Sequence, residues 1–569
     1  MFVRLKKSSG TVNPIVQIVE SYREGGRVRQ RVLASLGSIQ DDNDLERLNV
    51  LARNMLAKIQ QERTKQKRLF EDPSRLPVLE KRPKRGVPKG QGSSEPLVKI
   101  ENLQHTETVH DGFVAVVERL FSTTGLSDIA VHKPTRMAFD PLRIAKILVA
   151  QRFFDPASKH RTFQRQKVIG VDDLKLQQIY RGMDSLVKSE ELFQRCAIEA
   201  GCGQPGLFKQ EIECLFVDVT TLYFESVTTD ALRNFGYSKD QKFHSVQVVL
   251  CLIVNSDGIP VAYETFPGNT AEVSTVSPVV DKLKQRFDVK KITIVCDRGL
   301  ASKENIEKLG SLGIGYVAAC KIKHLPAKLK LNDLSTYESL EKKEDNEILV
   351  RRIAHPRYAD SELIVTWSKK RAAKDKSDRD CIIKRLQGKL GKKQSSSPKL
   401  KKLVNNKGYL KYVEFSGDGK WSINAEAEAK AASWDGFHAL AVSKSSNLTN
   451  AAALAQYRGL YRIEEAFRVS KSHLEIRPMF HWTTQRIRAH ILICFISLFL
   501  ERYLEKMLRI NNTPLTPDRI RYALQRAHSI HFQDTDTGRC GVMESTLSPD
   551  AESIFEVLTL PLKRGTKLL

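Results

Sequence analysis

Hydrophobic and polar positions change their rhythm several times along this chain of 569 residues. Near the N-terminus two alternating runs, Val16-Gln17-Ile18-Val19-Glu20-Ser21-Tyr22 and Arg27-Val28-Arg29-Gln30-Arg31-Val32-Leu33, flank Glu24-Gly25-Gly26. The glycines give the turn free access to positive φ, so 14–37 reads as a β-hairpin. Residues 41–70 are charged and helix-prone, which makes 1–70 a hairpin followed by a helix. Pro73, Pro77, Pro83, Pro88 and Pro96, set among Lys, Arg, Gly and Ser, predict a flexible basic linker over 71–97. A helical period follows at about 110–200, clearest over 137–154 and 173–200. It predicts a helical domain over 98–205, for which DNA contact and simple packing both stand open.

From residue 212 the pattern becomes that of an α/β segment. Strands are predicted over 214–220 and 245–254. The second turns at Asn255-Ser256-Asp257-Gly258 into a third, over 259–266. A helix near 271–287, a strand over 291–296, a helix near 302–312 and a strand over 314–320 complete the run. Three hairpin-linked strands followed by alternating helices and strands is the order of a ribonuclease-H-like sheet, in which the first and fourth strands are neighbours. Residues 206–320 are thus its first part. Residues 321–450 interrupt it with strand-like pieces (347–352, 362–367) and a basic stretch over 369–407, and read as a basic insertion domain for which DNA contact and a solvated surface both stand open. An amphipathic helix over 457–471 returns to the core, within 451–485. A long helical pattern over 486–528 predicts a helical C-terminal region, 486–569. The fold class is therefore multidomain α+β: a ribonuclease-H-like α/β core interrupted by a β-containing insertion, preceded by a β-hairpin and a helical N-terminal region.

Composition narrows the partners. Lys and Arg number 92 against 66 Asp and Glu, a formal charge of +26, and such an excess favours a polyanion whose counterions are released on binding. The longest strongly apolar run, 491–500, is too short to span a bilayer and reads as a buried helix, so no membrane partner is expected. The first residues carry no extended apolar segment, which argues against a secretory signal. Nine scattered cysteines without a Cys-x-x-Cys pair argue for reduced thiols and against a zinc ribbon. The expected location is the cytoplasm, at the nucleoid.

Candidate chemistry lies on three carboxylates. Asp218 stands within an apolar and β-branched strand, where an unpartnered charge is costly. Asp297 ends the predicted fourth strand, with Arg298-Gly299 after it, and strand ends are where α/β folds place their sites. If the strands are neighbours the two converge, and Glu464 on the later helix would complete a cage. All-oxygen ligation suits Mg²⁺ or Mn²⁺, and two such ions form the clamp used on phosphodiesters. On one continuous helix, at about 100° per residue, Tyr457, Glu464 and Lys471 share a face beside the apolar stripe of Leu460, Ile463, Phe467 and Leu474. Glu465 is turned about 100° away, so Glu464 is the expected ligand.

These residues carry a resemblance. The chain resembles the DDE transposases of bacterial insertion sequences, in the group marked by a Tyr-Arg-Glu-Lys signature and an insertion between the second Asp and the Glu. Tyr457, Glu464 and Lys471 stand in the signature's register, while Leu460 occupies the place of its arginine. Phe216-Val217-Asp218 resembles the first carboxylate motif and Cys296-Asp297-Arg298-Gly299 the second. Gly236-Tyr237-Ser238-Lys239-Asp240 and Phe266-Pro267-Gly268-Asn269-Thr270 are also typical of the group. The resemblance implies that Asp218, Asp297 and Glu464 bind two Mg²⁺ or Mn²⁺ ions and catalyse cleavage of double-stranded DNA at element ends, then strand transfer into a target. Tyr457 and Lys471 would hold a phosphate, with Arg298 near the cut. Arg458, Arg462 or Arg468 would replace the missing arginine, Arg468 being nearest the Glu464 face. A homodimer on DNA is also implied. Two other readings stand beside it: a nuclease without strand transfer, and a sequence-specific DNA-binding protein with an inactive core.

Overall fold

The computed structural model describes residues 2–6, 15–24, 27–38, 100–201, 214–224, 228–237, 244–287, 292–344, 346–390, 407–415, 421–561 and 565–568. The helix expected within 41–70 and the linker expected over 71–97 lie outside them. The chain divides into two units, Met1–Leu97 and Val98–Leu569. In the first unit β1 (Phe2–Lys6), β2 (Ile15–Glu24) and β3 (Arg27–Ser38) form an antiparallel sheet in that order. Glu24 pairs with Arg27.

The second unit opens with β4 (Leu103–Val109), then α1 (Asp111–Thr124), α2 (Pro141–Phe154), α3 (Lys159–Gln164), α4 (Leu176–Val187) and α5 (Glu190–Gly201). Helix α2 starts where its composition asks it to: Pro141 occupies the first turn and the Asp140 carboxylate accepts the Leu142 amide at 2.9 Å. The helical pattern over 173–200 is two helices rather than one. Ser189 turns the chain, its amide bonded to the Leu186 carbonyl and its hydroxyl accepting the His132 amide at 2.8 Å.

Next come β5 (Cys214–Tyr223), β6 (Gln247–Asn255), β7 (Pro260–Pro267), α6 (Val276–Phe287), β8 (Thr293–Cys296), α7 (Lys303–Ser311) and β9 (Gly315–Ala319). Strands β5, β6 and β7 are successively antiparallel; β8 is parallel to β5 and β9 to β8. Every residue of β6 is buried, the unbroken apolar run of a strand covered on both faces. The β6–β7 turn is closed by Asn255, whose side-chain oxygen accepts the amides of Asp257 and Ile259.

The segment 321–450 contributes β10 (Glu338–Lys343), β11 (Asn346–Ala354), β12 (Ser361–Ser368), α8 (Lys369–Leu390), α9 (Lys407–Leu410), β13 (Val413–Phe415), β14 (Trp421–Ile423), α10 (Ala425–Ala432) and β15 (Phe437–Ser443). Among the described residues nine strands make one sheet, ordered β10-β11-β12-β15-β9-β8-β5-β6-β7. The expected interruption therefore extends the core sheet instead of standing apart from it. Strand β15 pairs antiparallel with β9, Leu440 opposite Ala319, and so covers an edge that would otherwise offer unpaired backbone groups. Of the described strands in this segment, β13 and β14 pair separately.

The chain ends with α11 (Asn450–Arg458), α12 (Tyr461–Ser472), α13 (Thr484–Ile510), α14 (Pro517–Gln525), β16 (Ser529–Asp534), β17 (Cys540–Glu544), α15 (Pro549–Val557) and β18 (Thr566–Leu568). The C-terminal region is thus not purely helical, and neither is 98–205: β4 joins β16, β17 and β18 in a second sheet. Its strands pair across more than four hundred residues, Ser529 with Val109, and nothing local in the sequence announces that partner. Helix α13 is buried along its middle because α2 and α4 cover one side and β7 the other, which explains an apolar run without a polar face. Among the described residues no helix is long and apolar enough to cross a membrane, and eight cysteines are free.

Strand alternation assigns the two faces of the large sheet. Phe216, Leu222, Val295, Val317 and Leu440 belong to the core shared with α11, α12 and α13, the front. Leu215, Val217, Val219, Ile294 and Cys296 belong to the core beneath α6 and α7, the back.

Candidate active site

Asp218, between back-facing Val217 and Val219, projects to the front and is half-buried. Parallel pairing of β5 with β8 runs through Val217 opposite Cys296, so the next step sets Asp218 beside Asp297. Neighbouring strands lie about 4.8 Å apart, and both carboxylates are on the front. The adjacency expected of the first and fourth strands is what aligns them. Asp297 is held by its own turn: its Oδ1 accepts the amides of Gly299 at 2.7 Å and Leu300 at 3.2 Å. A Cβ on Gly299 would lie 3.1 Å from that oxygen, so the small residue keeps the carboxylate's approach open. Two like charges so placed call for a compensating cation.

Tyr457 reaches this place from α11. Burial raises its phenol, and the Asp297 carboxylate adds to the rise. The His438 ring of β15 lies 5.0 Å from the Tyr457 ring, centroid to centroid, and burial, then Arg371 and Arg298, holds His438 down to about 4. Arg371, at the start of α8, and exposed Arg298 act on both rings. Beside them opens a cleft of about 530 Å³ lined by Arg298, Lys321, Lys323, Arg371 and His438 and also by the carboxylates of Asp375, Asp378 and Asp435, with Arg371 3.7 Å from Asp375. His438 and Arg371 escaped the sequence reading. The available signal for His438 was a lone polar residue in the apolar run Phe437-His438-Ala439-Leu440-Ala441-Val442; Arg371 was one cation among many.

The helix expected over 457–471 is broken. The Gly459 amide bonds to the carbonyls of Ala455 and Gln456, Leu460 to Tyr457, Arg462 to Gly459 and Ile463 to Leu460, so three-residue turns tighten the junction between α11 and α12. Gly459 packs on β5, where an added Cβ would stand 2.6 Å from the Phe216 ring. Tyr457 and Glu464 therefore sit on different helices, and the spacing rule of one continuous helix does not apply to them.

Helix α12 leaves Gly459 beside Phe216, and the chain after it pairs at Met479 with Phe224. It thus runs along β5 past Asp218. Glu465 faces α13, its Oε1 3.5 Å from Arg502 and 3.4 Å from Arg468. Glu464 is exposed, on the flank turned away from α13, in a row with Phe467 and Lys471. The Lys471 ammonium lies 5.9 Å from the Phe467 ring centre. Among the described residues no three His, Cys, Asp or Glu side chains stand close enough together to hold a metal ion. The β5–β8 register brings Asp218 and Asp297 together, and Glu464 lies on α12, which packs along β5.

The candidates for the missing arginine go elsewhere. Arg458 lies 4.0 Å from Glu341, and Arg462 stacks by Tyr461 and against Gly258 in the β6–β7 turn. Arg468 pairs with Glu465. Leu460 is buried at the junction. The two glycine-containing motifs meet at Gln247, whose side-chain amide donates to the carbonyls of Tyr237 and Gly268. A Cβ on Gly268 would lie 2.0 Å from the Gln247 carbonyl. Lys239 and Asp240 lie outside the described residues.

Residues 209–500 match the family model described as transposase DDE domain, just over half of the chain, and residues 2–68 match the N-terminal domain of IS1634 family transposases. No curated protein matches. Among solved structures the chain is similar to the Mos1 transposase paired-end complex with left transposon end, at 11% identity and a TM-score of 0.14. That match covers 35% of this chain and 65% of the other. With the DDE domain over just more than half of its length and the matching N-terminal domain on one polypeptide, the chain belongs to the DDE transposase family, with an N-terminal domain of the IS1634 kind.

Proposed function

We propose that this protein is a DNA transposase that cuts DNA at the ends of an insertion sequence and joins the freed ends to a target. The observation that carries the proposal is the pair Asp218 and Asp297, side by side on neighbouring parallel strands and facing Tyr457 and a cleft lined in part by Arg298, Lys321 and Lys323. Oxygen donors alone at that place fit Mg²⁺ or Mn²⁺. We assign Asp218, Asp297 and Glu464 as the residues that hold two such ions. Bound there, the ions would supply Lewis acidity to an attacking water or 3′-hydroxyl and to the departing oxygen.

The remaining roles belong to side chains. The half-buried Tyr457 phenol keeps its proton and donates it in a hydrogen bond to a non-bridging phosphate oxygen. His438 is neutral at physiological pH and supports the Tyr457 ring by contact. Arg298, Lys471, Arg468 and Arg371 neutralise the phosphates on either side of the cut. In cleavage the water oxygen bonds to phosphorus and the phosphorus–O3′ bond breaks, leaving a 3′-hydroxyl. In joining that hydroxyl attacks a target phosphodiester and displaces its 3′-oxygen. Double-stranded DNA is the partner, two protomers hold two ends, and the nucleoid in the cytoplasm is the place of action.

That no three carboxylates among the described residues stand close enough to hold a metal ion favours, as a second reading, a DNA-binding protein with an inert core. Full-length protein, Mg²⁺ or Mn²⁺, the DNA flanking its own coding sequence and a target plasmid decide between them. Joined products are expected, and Asp218→Asn or Asp297→Asn should abolish both cleavage and joining without loss of DNA binding in EDTA. Cleavage without joining would leave a nuclease. Binding with no cleavage in either metal would leave the inert core.

A further inference from the structure

A second cationic site lies away from the catalytic pair, where α2, α3, α13 and the segment after α12 meet. Its cavity of about 420 Å³ is lined by Arg152, Lys159, Arg161, Arg477, Phe480 and His481, among others. Arg152 and Lys159 are only 5% and 4% exposed. The Arg152 guanidinium spends its Nη1 on the carbonyls of Leu474 and Glu475, and its Nη2 lies 3.4 Å from His490 Nδ1; its Nε has no partner. Among the described residues no carboxylate pairs with Lys159. Burial, with Arg152 adding to it, pushes the Lys159 ammonium down to about 7, and burial followed by Lys159 and Arg152 pushes His481 down to about 3. Glu475 lines the cavity but is exposed, and Asp155, nearby in sequence, is engaged by Arg165 and Arg161.

Two buried cations without a counter-charge are costly, and an anion entering the cavity would remove that cost. The mouth indicates which anion. Phe480 is 63% exposed there and Trp482, two residues on, 66%. A free phosphate leaves such rings in water, whereas a nucleotide covers one with its sugar or base. The position agrees: Met479 pairs with Phe224, the residue just after β5 and six beyond Asp218, which is roughly 20 Å at 3.3 Å per residue. Duplex DNA covers that distance in about six base pairs.

We propose that this pocket is a second anchor for the DNA, in which Lys159 and Arg152 at the floor and Arg161 at the mouth take one backbone phosphate while Phe480 lies against the adjoining sugar or base. The proposal rests on the transposase reading, and two variants keep the two apart. Binding of a fluorescein-labelled duplex from the DNA flanking the coding sequence is followed by anisotropy across a salt series, for the full-length wild type, Lys159→Met and Asp218→Asn. Lys159→Met should weaken binding several-fold and lower the slope of log K against log salt by about 0.9. Asp218→Asn should keep the wild-type slope and lose cleavage. Arg161→Gln and Phe480→Ala, at exposed positions, give the same readout should Lys159→Met fail to fold, and each is expected to weaken binding.

Wild-type affinity and slope in Lys159→Met, or in both exposed variants, overturn the anchor while leaving the catalytic reading intact. Wild type that binds the duplex without cleaving it, with Lys159→Met weakened, upholds the anchor and overturns the catalytic reading. A wild type that does not bind the duplex overturns both. Inorganic phosphate is the second probe. If it raises the wild-type melting temperature beyond chloride of equal ionic strength, and Lys159→Met loses that rise with duplex binding unchanged, the pocket serves a free anion and the DNA anchor is overturned.

Discussion

Glu464 and Glu465 are neighbours in the chain with opposite surroundings, and that difference can be measured. Glu465 leans on Arg502, itself only 8% exposed in its side chain, whereas Glu464 is exposed and turned away from α13. Glu464→Gln should leave the melting temperature unchanged and abolish metal-dependent cleavage. Glu465→Gln should keep most cleavage and cost about 1 kcal/mol of stability, a small sum because the pair is partly exposed and Arg502 keeps Glu505 at 2.7 Å. Loss of cleavage in Glu465→Gln with normal activity in Glu464→Gln would reverse the assignment. Helical spacing by itself singles out Glu464 over Glu465. Its surroundings, and the contribution of His438 and Arg371 to the site, depended on contacts that no spacing records.

At the scale of elements the break between α11 and α12 matters most. A glycine in helical conformation would ordinarily be improved by alanine, by about 1 kcal/mol. At Gly459 the added carbon meets the Phe216 ring at 2.6 Å, and Phe216 is buried at 1% exposure in the core with no room to yield. Gly459→Ala should therefore destabilise the protein by about 1–3 kcal/mol, read as a lower denaturation midpoint. Because the same junction aims Tyr457 at Asp297, cleavage should slow as well. An unchanged or raised midpoint would mean that α12 can move away from β5. The sequence marked the apolar stripe of α12 correctly but not the break, since a single glycine within a good helical pattern does not say whether it bends the chain.

For the whole molecule, two buried charges give stability opposite dependences on pH. Burial, aided by Glu505, lifts Glu501 to about 8. A carboxyl raised in the folded state contributes stability that is complete below its ordinary value and is lost as pH rises through 8. Glu501→Gln should thus gain on wild type in melting temperature as pH goes from 5 to 9. Lys159 is an amine lowered to about 7. Between 7 and its ordinary value the unfolded chain holds a proton that the folded one lacks, so stability rises with pH. The advantage of Lys159→Met should accordingly grow as pH falls toward 7 and be least in alkali. Parallel pH trends for the two variants would show that their buried charges are compensated in ways other than these contacts indicate.

Sequence by itself determined the period of each element and, from three hairpin strands followed by alternation, that β5 and β8 would be neighbours. That sufficed to pair Asp218 with Asp297, because strand register needs only local hydrophobic alternation and the connection lengths. It also determined the buried character of α13 and the excess of positive charge. Tertiary structure alone decided that β10, β11, β12 and β15 would extend the core sheet, that β4 would pair with β16, and that Arg152 and Lys159 would meet without a carboxylate between them. Those outcomes join segments up to hundreds of residues apart, and their energies come from edge pairing and burial that exist only once the chain has closed on itself.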